Sequence, residues 1–89
     1  MKLLFNHKGH KILISRDLSS AQMDIDNEVS DVKSGFINTH VRDFDLNGKV
    51  QNPDGTEDRI RVHYNIGPVW DTISLYFNDA LIESKKGAL

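Results

Sequence analysis

Several groups of residues in this 89-residue sequence have the types and spacing for chemistry. Asp43, Asp45, Asn47, Gln51 and Asp54 offer side-chain oxygens within one short stretch, and the Lys49 carbonyl adds another. Calcium takes about six to eight oxygens, and a chain that curls around the ion brings alternate side chains to one centre. Arg61 and His63 alternate with Ile60, Val62 and Tyr64 and form, with Asn65, a polar row on one strand face. Tyr64 and Trp70 offer aromatic surface for a sugar or a protein partner, so Arg61, His63, Tyr64 and Trp70 make up a candidate partner or ligand surface. Trp70 is the only tryptophan, and in a small core a lone tryptophan is more often a buried anchor. Asp24 and Asp26 share the polar phase of another segment. Paired carboxylates serve general acid–base chemistry or bind a cation, but charge protecting an edge strand is the commoner role. His7 and His10 flank Gly9 with no third metal ligand nearby, and read as solvent-exposed loop residues.

The run Asp43-Phe44-Asp45-Leu46-Asn47-Gly48-Lys49-Val50-Gln51-Asn52-Pro53-Asp54 resembles the calcium loop of EF-hands and dockerins. Acidic or amide residues stand at the first, third and fifth positions, glycine at the sixth, an aliphatic residue at the eighth and Asp at the twelfth, as in dockerin-type loops. The resemblance implies a calcium site on these residues. It covers only this stretch, Phe44 and Leu46 are apolar where such loops are polar, and a strand pattern follows where the family places a helix. The alternative is an ordinary strand over Phe44 to Gln51 with Gly48 at a bulge or in an Asn-Gly turn.

Composition narrows the field. Leu, Ile, Val and Phe are common enough for a folded chain, and 89 residues suit one domain spanning 1–89. Eleven Lys and Arg against 13 Asp and Glu give a net charge of −2, which speaks against nucleic acid as a partner. Lys8, Lys11, Arg59, Arg61, Lys85 and Lys86 would make a basic patch only if the fold gathered them. The absence of cysteine removes disulfides, thiolate metal sites and cysteine nucleophiles. No apolar run suits a membrane span or a secretory signal, so a cytoplasmic protein without a membrane partner is expected. No phosphate-binding glycine loop, nucleophile elbow or zinc-protease helix motif occurs.

The elements that must position these residues read as strands. Ile, Val and Thr greatly outnumber Ala. Short β-prone runs at Leu3 to Phe5 and Lys11 to Ser15 flank Lys8-Gly9-His10 as a hairpin. A longer strand is expected within Phe36 to Leu46 and onward to Val50. Asn52-Pro53-Asp54-Gly55 is a turn, and Ile60, Val62, Tyr64 and Ile66 alternate with polar residues until Gly67-Pro68. The segments from Ala21 and from Ile73 match each other 52 residues apart, through Lys33-Ser34-Gly35 and Lys85-Lys86-Gly87. The match extends upstream to Ile14, Leu18 and Ser20 against Ile66, Trp70 and Thr72, which points to an internal repeat. Each copy reads as a hairpin turning at Asp26-Asn27 or Asn78-Asp79, since Asn and Asp tolerate positive φ. Alternatively, Ser19 and Gln22 form a capping box and helices occupy about 19–34 and 71–86.

The expected fold is therefore all-β, a small antiparallel β-sandwich or barrel of about seven to eight short strands with a repeated hairpin; the alternative is α+β. The expected function is a non-enzymatic module that binds an unknown protein partner or itself, with exposed edge strands as the route to a homodimer or other homo-oligomer. The alternatives are a calcium- or carbohydrate-binding module on the 43–54 stretch, and an enzyme using Asp24, Asp26 or His63.

Overall fold

The computed structural model describes residues 1–35 and 42–88. Its regular elements are β1 (Lys2–His7), β2 (His10–Arg16), β3 (Ser20–Ile25), β4 (Glu28–Ser34), β5 (Asp43–Gln51), β6 (Glu57–Asn65), β7 (Asp71–Phe77) and β8 (Ala80–Gly87). The period-two pattern decides this: in β7, Asp71, Ile73, Leu75 and Phe77 are buried and the residues between them are not. The turn residues set the connections. Lys8-Gly9, Asp26-Asn27 and Asn78-Asp79 each hold two consecutive positive φ values, the turn whose twist matches a two-residue hairpin. Both ambiguous segments are hairpins, so the helix alternative is overturned. A left-handed Asn-Asp pair cannot sit inside a right-handed helix. The strand reading within Phe36 to Leu46 holds from Asp43 onward, and its first part lies outside the described residues.

β1 to β4 form one antiparallel sheet in sequence order, and β5 to β8 form another. The two pack face to face around a single core. Phe5, Ile12, Ile14, Ala21, Met23 and Ile25 come from the first sheet, and Leu46, Val50, Ile60, Val62, Tyr64, Ile73, Leu75 and Phe77 from the second. Each larger apolar side chain so buried contributes about 1.5–3 kcal/mol. The result is a sandwich, not a closed barrel.

The repeat is real, and its register differs upstream from the sequence match. Ile12 pairs with Ile25 and Ile14 with Met23 in the first sheet; Ile60 pairs with Phe77 and Val62 with Leu75 in the second. Ile14 therefore corresponds to Val62, not Ile66, because the β6–β7 connection is longer than the β2–β3 one. By the same register Arg16 corresponds to Tyr64, Leu4 to Asn47 and Phe5 to Gly48. The bulge repeats as well, between Met23 and Asp24 and between Leu75 and Tyr76, leaving Ser30 and Ile82 as the extra residues. β4 lies beside β5, where Ser30 Oγ donates to the Asn47 carbonyl at 3.1 Å and the Asn47 amide donates to Asp31 at 2.8 Å. β8 lies beside β1, where Lys85 donates to the Leu4 carbonyl. Asn47 and Leu4, counterparts in the repeat, accept at the two seams, but β4 approaches β5 more closely than β8 approaches β1, so the twofold relation between the sheets is only approximate.

Gly48 is neither at a bulge nor in a turn; it pairs in regular register with Ile60. A Cβ there would stand 2.7 Å from Ile25 Cδ1 and closer still to Ser30 Oγ. The first sheet puts the Phe5 ring at the corresponding place, so large and small residues alternate across the axis.

Candidate functional site

The calcium-loop residues do not form a loop. Asp43, Asp45 and Asn47 lie along one face of extended β5, where successive same-face side chains stand ~6.6 Å apart and diverge from any common centre. Pairing with β6 over the whole of β5 is what keeps the chain from curling. Asp54 instead closes the β5–β6 turn. The Thr56 hydroxyl donates to it at 2.6 Å and the Thr56 amide at 2.9 Å, and these bonds hold its carboxyl below the usual carboxylate range. Gln51 donates to Glu57 at 3.0 Å. No cluster of three or more metal-ligating side chains exists among the described residues.

His63 and Arg61 lie on the outer face of the second sheet, as their alternation predicts. His63 Nδ1 is 2.8 Å from Asp45, and Arg61 reaches the same carboxylate at 3.6 Å. The Arg61 guanidinium also stacks 4.1 Å from the centre of the Tyr76 ring. In the cross-strand row, Asp45 faces His63, His63 faces Ser74 and Ser74 faces Ser84. An oriented imidazole beside a serine is the start of a nucleophilic site. Here, however, the Ser74 hydroxyl is bound to Ser84 at 2.8 Å, and the row lies on an open sheet face. Sequence reading missed Ser74 because its place beside His63 depends on the β6–β7 register.

Tyr64 and Trp70 exchange the environments that their types suggested. Tyr64 is fully buried on the core face, opposite to His63 and Arg61, and offers no outward surface. Phe44 stacks on it at 5.0 Å, and its hydroxyl donates to buried Asp71. Burial and the Asp71 carboxylate push the Tyr64 phenol upward from its ordinary value. Arg16, its counterpart in the first sheet, lies with its guanidinium 5.6 Å from the Tyr64 ring and its Nε 3.8 Å from Asp71. Trp70 is half-exposed, with the Lys86 ammonium 4.9 Å from its ring centre, so it is not a core anchor. It borders a shallow cavity of about 340 Å³ with Lys86, Gly87 and Ala88. Val69 beside it is 73% exposed, and so is most of Leu18, the Trp70 counterpart in the first half.

Asp24 and Asp26 do not act as a pair. Asp24 lies on β3, an interior strand, so it protects no edge, and it accepts the Gln22 amide at 2.7 Å. Asp26 binds the Lys11 amide at 2.9 Å and His10 Nδ1 at 2.7 Å, which holds its carboxyl below the usual range. Asn78 takes the Arg59 amide at 2.8 Å in the same way. His7 is not a free loop residue: its ring meets Phe77 edge-on at 4.5 Å. His40 lies outside the described residues.

The six basic residues do not gather into one patch. The turns after β1, β3, β5 and β7 share one end of the sandwich. There Asp58 binds Asn52 and Asn78, and Lys8 and His10 approach it. Lys8, Lys11 and Arg59 belong to this end, whereas Lys85 and Lys86 lie at the other, with Trp70. No protein-family model, curated protein or solved structure matches the chain.

Proposed function

We propose that the chain is a non-catalytic module that binds protein through the end carrying Trp70. The observation that supports this is the exposure of Trp70 and Val69 at the mouth of β7, whereas the other aromatic rings among the described residues are buried or half-buried. Tryptophan is among the residues that most often dominate binding energy at interfaces. The candidate acids and bases serve other ends: Asp26, Asp54 and Asp58 fasten turns, and Asp45 orients His63 and Arg61. Edge pairing is a poorer route to a partner. The outward groups of Asn47 are taken by β4, the Leu4 carbonyl is taken by Lys85, and β4 and β8 are bulged.

A photoreactive amino acid at Val69 tests the proposal in cells that produce the protein. A discrete protein adduct is expected, lost on Trp70→Ala and absent when the probe stands at Ser84. Adducts of equal yield at both positions, or none at Val69, would overturn it.

A further inference from the structure

Trp70 and Lys86 have a counterpart at the opposite end of the same molecule. A recess of about 380 Å³ opens beside the β3–β4 turn. Ile25 and Val50 form its floor, Val29 its exposed apolar wall, and Asp26 and Glu28 its acidic rim. His10 is held to Asp26, and Lys49 stands on the far rim within 3.7 Å of Glu57. Ser30 and Gln51 complete a mixed lining, and its accessible corner is Glu28 beside the exposed Val29, which suits an aromatic ring carrying a cation. The ends as a whole are also complementary. At the Trp70 end, exposed or half-exposed Lys2, Lys33, Arg42, Lys85 and Lys86 outnumber Asp17, Asp43 and Glu83, with Glu83 4.0 Å from Lys85, while Arg16 and Asp71 form a buried pair. At the turn end, Asp26, Glu28, Asp54, Glu57, Asp58 and Asp79 outnumber Lys8, Lys11, Lys49 and Arg59.

We infer that the chain self-associates head to tail, with Trp70 and Lys86 of one copy entering the Asp26–Glu28–Val29 recess of the next. This rests on the protein-binding reading above and names the partner as a second copy. The contact joins unlike surfaces, so it does not close on itself as a twofold dimer does, and it propagates into open chains unless the rotation closes a ring. The contact is small and charge-assisted, so it is weak and sensitive to salt.

Sedimentation velocity from about 10 μM to about 1 mM tests it, with Trp70 emission as a second readout. The expected result is a rising sedimentation coefficient and a blue shift of Trp70, both reversed at about 0.5 M salt. Lys86→Glu and Glu28→Lys should each weaken association about tenfold or more, and an equimolar mixture of the two should restore it. Far-ultraviolet circular dichroism confirms that each variant is folded. A wild-type chain that stays monomeric throughout, association that strengthens with salt, or a mixture that fails to restore it would overturn the inference. A monomer that still forms the Val69 adduct with a different protein would remove self-association and leave the protein-binding reading standing. A monomer without that adduct would remove both.

Discussion

At the scale of single residues, the Arg16–Asp71–Tyr64 cluster concentrates the electrostatic risk of the fold. Asp71 is buried, receives the Tyr64 hydroxyl and faces Arg16. Asp71→Ala leaves the Arg16 charge without this carboxylate and should cost about 3 kcal/mol, read from urea unfolding. The Tyr64 phenol is raised in the folded state, so its neutral form is the one folding favours. Its contribution is complete below the ordinary tyrosine value of about 10 and is lost as pH rises above it. Stability measured across alkaline pH should fall more steeply in the wild type than in Tyr64→Phe. Asp26 works at the other extreme of pH. The Lys11 amide and then His10 lower its carboxyl, so its contribution is present above about pH 4 and fades as pH falls through its folded value. Asp26→Ala should therefore flatten the acid limb of the stability curve, and an unchanged limb would assign acid sensitivity elsewhere.

At the scale of elements, the strands were legible because side-chain period and turn chemistry agree. Ile60, Val62 and Tyr64 alternate with Arg61 and His63, and the Asp-Asn and Asn-Asp pairs supply the positive φ that their hairpins need. That alternation already put Tyr64 on the core side of β6, away from Arg61 and His63. The failures involve partners distant in the chain. The calcium-like spacing is visible in one dimension, but whether it curls or extends depends on pairing with β6. Gly48 looks like a turn residue until Ile25 and Ser30 from the other sheet occupy its side-chain space. Gly48→Ala should cost about 1–3 kcal/mol through overpacking, with part of the loss restored by adding Ser30→Gly. Asn27 holds a φ of 71° at the second turn position, where glycine is preferred. Asn27→Gly should raise stability by about 0.5 kcal/mol, measured by thermal unfolding, while Asn27→Val should lower it.

At the scale of the whole molecule, both sheets contribute to one core, so they should unfold together. Native-state hydrogen exchange should give β2, β3, β6 and β7 nearly equal opening energies, and a gap of several kcal/mol between the sheets would contradict this. The candidate interface belongs to this scale too, because neither Trp70 nor Glu28 suggests it without knowing which ends the turns occupy. The correspondence of Arg16 with Tyr64 carries a further consequence. Near a twofold axis a side chain meets its own counterpart, so the two halves are bound to differ there. A chain assembled from two first halves would press one Arg16 guanidinium against another, with Ser19 standing where Asp71 supplies the carboxylate. Two second halves would crowd two phenols and two carboxylates into the same space. The unlike groups that meet here, Arg16 on one side and Tyr64 with Asp71 on the other, therefore favour the pairing of unlike halves over a half with its own replica.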